Sequence, residues 1–329
     1  MHRQFTQSKR FTHNSISGFA LSELLVAILI GLLVLGVALQ LSAYDRKLYL
    51  QDQVRQVVNQ NLRAAMDSIG IDTRQAGEQI TDSLFPVITL QRNNNLSELF
   101  IRRSLLGTAL PVCKPISAGS NTDVVFIAVN AANPPAGCAP QTNNPDGWPA
   151  NLDIWRNYRL SQPGGSVNAY IYDGNGNGEF FTYDAEDNSN FKIHKANATH
   201  WQNSYSASNS SVYLLEERHY RLCYPIPQSQ LSQITCTNPA NGKDILQLVI
   251  DGNNYINLVN AMTDFQIQIL MQDGTVKNTF GSTDRWTQIK AIQVDITSTD
   301  LGNNMITTKA DQSRRHFSQV FFPRNVTSK

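Results

Sequence analysis

The chain has 329 residues, of which 41% are hydrophobic and only 16% charged, so its polarity rests on uncharged Asn, Gln, Ser and Thr. Twenty-seven Lys and Arg against 26 Asp and Glu give a formal charge of +1, too balanced for the electrostatic footprint of non-specific nucleic-acid binding. The composition excludes a collagen, a coiled-coil rod and a polytopic membrane protein, and the length allows two ordinary domains or one large one with an appendage.

From Phe19 to Leu41 the sequence reads FALSELLVAILIGLLVLGVALQL, with a single ionisable side chain. At about 1.5 Å per residue such a helix spans a hydrocarbon core of ~30 Å. Arg3, Lys9 and Arg10 precede it without an acid, whereas Asp45, Arg46 and Lys47 follow it. The basic excess on the N-terminal side predicts a cytoplasmic N-terminus and an exported bulk. Two alternatives remain. One is a plain uncleaved anchor. The other is a secretory signal peptide, whose apolar region is usually about 7–15 residues and ends at a small-x-small site, of which Leu41-Ser42-Ala43 is a poor version.

At the entrance to this span stands Gly18-Phe19-Ala20-Leu21-Ser22-Glu23. A carboxylate inside a membrane span costs about 2.5–3.5 kcal/mol on insertion scales, so it marks a purpose and a partner. The span holds no Lys, Arg or His, but cleavage after Gly18 would create an α-ammonium at Phe19, four residues from Glu23 or beside the Glu23 of a neighbouring copy. These residues resemble the class III signal of type IV prepilins and type II secretion pseudopilins. The resemblance implies cleavage after Gly18 by an inner-membrane prepilin peptidase, methylation of Phe19 by the same enzyme, and use of Glu23 for subunit registry. Ala20 and Ser22 depart mildly from the family pattern, and Gln40 stands where many major pilins have a helix-kinking proline, which points to a minor subunit. Removal of residues 1–18 takes away three of the 27 basic residues and no acid, for a formal charge of −2. Arg102-Arg103 and Arg314-Arg315 are then thin candidates for a nucleic-acid patch, and no direct nucleic-acid binding is predicted.

The helix is expected to continue past the membrane, because every proline lies at or beyond Pro86 and apolar residues recur at Leu50, Val54, Val57, Leu62, Ala65 or Met66, and Ile69. Residues 42–75 are thus read as an amphipathic continuation of a 19–41 transmembrane helix, with Gly77 as its stop, and residues 76–329 as an α+β head. Strands are predicted over 124–129, 153–160, 169–172, 212–224, 245–250, 265–271, 289–296 and 317–322, forming an antiparallel sheet against the helix. The Pro-, Asn- and Gly-rich stretch 130–149 reads as a loop, and 188–211 as an exposed insertion.

Cys113, Cys138, Cys223 and Cys236 carry no C-x-x-C and no metal-like spacing, which favours two disulfides in an oxidising compartment. Proximity favours Cys113–Cys138 and Cys223–Cys236, with buried free thiols as the alternative.

The segment from Asp173 to Asp184, DGNGNGEFFTYD, follows the D-x-[DN]-x-[DN]-G calcium-loop pattern. Asp173, Asn175, Asn177, Glu179 and Asp184 are the candidate ligands for a structural calcium ion. The flanking AYIY and FFTY segments read as strands, so an Asn/Gly hairpin turn explains the same residues equally well. No other cofactor is implied. His194, His200, His219 and His316 lack the spacing of a metalloenzyme, and the sequence contains no G-x-S-x-G, P-loop or G-x-G-x-x-G, so no enzyme is predicted.

The C-terminal third, Leu258–Ile267, Asp273-Gly274, Trp286 leading into Ile289–Ile296, and Arg315-x-Phe317-x-x-Val320 with Arg324-Asn325, resembles the strand series of PilW-type minor pilins. The two resemblances together imply a type IV pilin-like fold. They imply a mature subunit held in the inner-membrane bilayer with a periplasmic head, which joins other minor pilins, the major pilin and the inner-membrane assembly platform to prime pilus growth, and ends in the pilus or at its tip. Twitching motility, adhesion or DNA uptake would report its function. A type II secretion J-type pseudopilin, or a membrane-anchored periplasmic binding module, is the alternative.

Overall fold

Residues 21–93, 96–127, 133–134, 137–139, 143–196, 200–207, 209–223, 244–252, 254–298 and 315–326 are described by a computed structural model of the chain. Gly18, Phe19, Cys236 and Arg314 lie outside these residues. The chain divides into two units, residues 1–55 and residues 56–329.

The proline-free N-terminal region forms one helix, α1 (Leu21–Gln75). Within residues 56–329 its buried positions are Val58, Leu62, Ala65, Met66 and Ile69, continued by Thr73 and Ala76. These recur at three or four residues and so share one stripe of a 3.6-residue helix. The expected stripe needs correction at its start: Val57 is exposed and Val58 takes the buried place, about 100° further round, while Leu50 is exposed as well. Gly70 lies in the stripe because Phe321 packs there; a Cβ on it would come within 2.5 Å of the ring. The helix stops before Gly77, which takes φ +71° and donates its N–H to the Arg102 carbonyl at 3.0 Å.

Past the helix the chain builds an α+β unit on antiparallel strands. The first are β1 (Ile88–Asn93), β2 (Leu96–Ser104), β3 (Leu110–Pro111) and β4 (Val124–Val125). Next come β5 (Val167–Tyr172), β6 (Gly178–Asp187), β7 (Lys192–Ala196), β8 (Ser211–Cys223) and β9 (Asp244–Ile250). The last are β10 (Asn254–Met271), β11 (Val276–Lys277), β12 (Ile289–Ser298) and β13 (Arg315–Phe321). Their order is β13-β12-β10-β9-β8-β5-β6-β7-β4, with β1 on β2, β2 and β3 on β8, and β11 on β10.

The 13-residue β8 joins the two parts of the sheet. Its C-terminal half pairs with β2 on one edge and β9 on the other, as at Tyr220, which faces both Leu99 and Leu248. Its N-terminal half pairs with β3 and β5, as at Val212, which faces both Leu110 and Ile171. Leu214 and Leu215, adjacent and therefore on opposite faces, are both buried, so the strand is covered on both sides where the parts meet.

Three sequence expectations are corrected. Residues 153–160 are not a strand but most of a helix, α2 (Ala150–Ser161), which starts directly after Pro149. Leu152, Trp155 and Arg159 are its buried residues, at helical spacing, whereas Ile154 and Leu160 are exposed. Of the strand expected over 124–129, residues 124–127 are described, and among these only β4, Val124–Val125, is strand. The stretch 188–211 is not an exposed insertion: it contains β7, and it buries Ile193, Trp201 and Tyr205 in a core shared with Trp155 and Tyr183. Trp201 Nε1 donates to the Thr122 carbonyl at 2.9 Å, which gives the buried indole its partner.

Cys113 and Cys138 are joined, with Cα atoms 5.6 Å apart, pinning the loop around Cys138 to the strand region. Cys223 is also disulfide-bonded.

Candidate functional site: an apolar span and a buried polar lock

Between Leu21 and Leu41 fourteen large apolar side chains are each more than half exposed, and no part of the most apolar stretch is buried. At about 1 kcal/mol for each half-exposed aliphatic chain, their hydration opposes solubility by on the order of 10–20 kcal/mol. That is as large as the net stability of a typical domain, about 5–15 kcal/mol. The helix is long and apolar enough to cross a membrane. Glu23 lies in its first turn, where a carboxylate complements the helix dipole.

Within residues 56–329, the last turns of α1 carry polar groups into the buried stripe. Asp72 is 4% exposed. Its carboxylate accepts from the Tyr220 hydroxyl and lies 3.3 Å from Arg218 Nη1. Tyr220 also meets Ser68 Oγ at 3.0 Å, so two residues of the helix, one turn apart, grip one tyrosine of β8. Arg218 continues to Glu216 at 3.0 Å, and Glu216 to Arg103 of β2, whose Nη1 donates to Gln75 of the helix. The circuit closes on α1 at both ends. Burial pushes the Asp72 carboxyl above the usual carboxylate range, against the opposing pull of Tyr220 and Arg218. Tyr220 is held far above its ordinary value by burial and by the Asp72 carboxylate. This lock holds helix to sheet by directional bonds where apolar packing alone would let the helix slide or rotate. Sequence reasoning passed over it, although Asp72 inside an apolar stripe is a readable sign that partners wait on the facing element.

The five candidate calcium ligands are held as follows. Asp173 is 7% exposed and directly follows β5, in the hairpin that pairs Tyr172 with Gly178. Its Oδ1 accepts from the Asn175 and Asn177 N–H groups at 2.8 and 3.0 Å, and its Oδ2 from the Asn177 amide at 2.7 Å. Glu179 instead accepts from the Gln202 and Asn203 N–H groups and from the Tyr205 hydroxyl. Asp184 lies against His194 Nδ1 at 2.5 Å. The structure thus brings Asp173, Asn175 and Asn177 together as a side-chain-capped turn, and engages Glu179 and Asp184 elsewhere. Among the described residues no group of three or more His, Cys, Asp or Glu is gathered as metal ligands would be.

Three of the histidines have acidic partners: His194 meets Asp184, His219 meets Glu98 at 3.1 Å and stacks on Phe100, and His316 lies 3.4 Å from Asp295. Hydrogen bonding to Asp184 raises the His194 pKa. Arg102 and Arg103 are paired with Glu217 and Glu216, so the Arg-Arg dipeptide is not a free basic patch.

Comparisons of the chain with family models, with curated proteins and with solved structures give no match.

Proposed function

We propose that the chain is a pilin-like assembly subunit, a minor pilin resembling the PilW type, which primes type IV pilus growth from the inner membrane and carries no enzymatic activity. One observation carries this reading: Gly18, Phe19 and Glu23 sit at the mouth of a 23-residue apolar span. The helix that holds Glu23 continues without interruption to Gln75. In this reading a peptidase cuts after Gly18 and Phe19 is N-methylated. The Phe19–Leu41 helices then leave lipid to pack against one another, and each Glu23 carboxylate meets a neighbour's terminal ammonium. The helix's fourteen exposed aliphatic chains fit this role, since the surface that lipid covers before assembly is the surface that neighbouring helices cover after it. The lock at Asp72 and Tyr220 then transmits load from helix to head.

Glu23→Ala tests the role of the carboxylate. The variant should remain membrane-bound and folded, yet lose incorporation into sheared pili by at least tenfold. Unchanged incorporation would overturn the assembly role of Glu23, and loss of membrane association would show instead that the residue serves insertion.

A further inference from the structure

Away from the helix, a cavity of about 650 Å³ opens between β1, the segment 279–284, Tyr170 of β5 and the hairpin glycine Gly176. That size falls within the range of ligand pockets, about 300–1,000 Å³. Its walls are fixed. Leu90 and Phe280 exchange two backbone hydrogen bonds, at 2.9 and 2.8 Å, across the cavity floor. Leu90, Tyr170 and Phe280 are all buried.

Arg102 lines the same space, with its side chain 12% exposed. Its Nε is committed to Glu217 at 2.7 Å, and its Nη1 to the Pro86 carbonyl and Thr89 Oγ1. Its second amino group, Nη2, meets no acceptor among the described residues. The rim is polar and exposed, made by Gln91, Arg92, Thr279, Ser282 and Thr283. Asp284 is neutralised by Lys277 and caps the Gly281 N–H at 2.9 Å. With Arg102 balanced by Glu217 and Lys277 by Asp284, the exposed guanidinium of Arg92 leaves the cavity one positive charge in excess.

We propose that this cavity binds a carboxylate-bearing saccharide. A mostly buried guanidinium fixed through Nε and Nη1 leaves Nη2 as a donor for one carboxylate oxygen, and the hydroxyl and amide rim suits a ligand with many hydroxyls. A single excess charge matches a monoanionic unit and is far too little for a nucleic acid. An added peptide strand is disfavoured because both backbone groups of Leu90, which it would need, are already bonded to Phe280. This assignment is independent of the assembly role proposed for the helix.

The test is calorimetric titration of the full-length protein in detergent with trigalacturonate, and with galactotriose as its neutral counterpart. Two variants accompany it. Arg92→Gln removes the excess charge at an exposed position. Gly281→Leu adds bulk at the cavity lining, where a Cβ meets no atom within 4 Å and the backbone is not in the left-handed region. The acidic trisaccharide should bind saturably and at least tenfold more tightly than the neutral one, and each variant should weaken it at least tenfold with its melting temperature unchanged. Absence of binding at millimolar trigalacturonate would overturn the proposal, as would equal binding of galactotriose or full binding by Gly281→Leu. Triglutamate binding as tightly as trigalacturonate would overturn the saccharide assignment. If Gly281→Leu does not fold, undiminished binding by Arg92→Gln overturns it.

Discussion

Asp72 should be the costliest single carboxylate to remove from the helix, and the cost should depend on what replaces it. Asp72→Ala strips Tyr220 and Arg218 of a common acceptor at a site only 4% exposed. A hydrogen bond to a charged group contributes about 1.5–3 kcal/mol, and breaking one side of a buried ion pair costs about 3–5 kcal/mol. Arg218 is a quarter exposed and retains Glu216, which places the expected loss near the lower end, about 3 kcal/mol. Asp72→Asn keeps the size and an acceptor for Tyr220. Because burial holds the Asp72 carboxyl above its ordinary range, loss of the charge is partly offset by relief of its desolvation, and this variant should cost less than the alanine. Tyr220→Phe combined with Asp72→Ala should reveal a coupling of about 1–2 kcal/mol. Urea unfolding of the detergent-solubilised chain, followed by the fluorescence of buried Trp155, Trp201 and Trp286, measures all three. An alanine variant losing under ~1 kcal/mol, an asparagine variant as damaging as the alanine, or a coupling below ~0.5 kcal/mol would refute the lock.

Burial and the neighbouring Glu216 and Glu217 push Asp251 up to about 6, so the folded chain holds that proton more tightly than the unfolded one. Its contribution to stability is therefore full below about pH 4 and is lost as pH rises through about 6, by about 1–2 kcal/mol after solvent screening. Asp251→Asn, which tolerates the φ of +52° and can still accept from the Glu217 N–H, should flatten that slope in pH-resolved unfolding; a curve parallel to the parent's would contradict it. Removing the Cys113–Cys138 disulfide, which spans 25 residues, should lower unfolding free energy by about 3 kcal/mol in a paired Cys→Ser variant, and an unchanged midpoint would show that the loop is held by other contacts. The turn at Asp173 already satisfies its carboxylate internally, so millimolar calcium should leave the melting temperature unmoved; a rise of several degrees that Asp173→Ala abolishes would instead establish the calcium site.

The long helix, the α+β class and the Cys113–Cys138 bridge were legible because each rests on a local signal: an absence of proline, a run of apolar residues, and short separation along the chain. Misreadings arose where a few anchors act through tertiary contact. Around Trp155 the apolar residues satisfy both periods, and burial of Leu152 and Arg159 with exposure of Ile154 decides for helix. Residues 188–211 looked like solvent-exposed polar chain because Asn and Ser outnumber Trp201 and Tyr205, the residues that bind the segment to the core. The Asp72 circuit and the cavity beside Arg102 join residues more than a hundred positions apart or in separate strands, and no spacing rule reaches them. The placement of Ala261 at φ +58°, where β10 shifts register between its partners β9 and β12, is likewise a product of sheet geometry rather than of local propensity.

The most direct measurement is mass spectrometry of the intact protein and its N-terminal peptide, purified from native membranes of cells with and without the prepilin peptidase. The assembly reading expects a mature chain beginning at N-methylated Phe19, lost when the peptidase is absent. A terminus at Met1, or a cut near Ala43, in peptidase-positive cells would contradict it and leave an anchored or secreted α+β domain in its place.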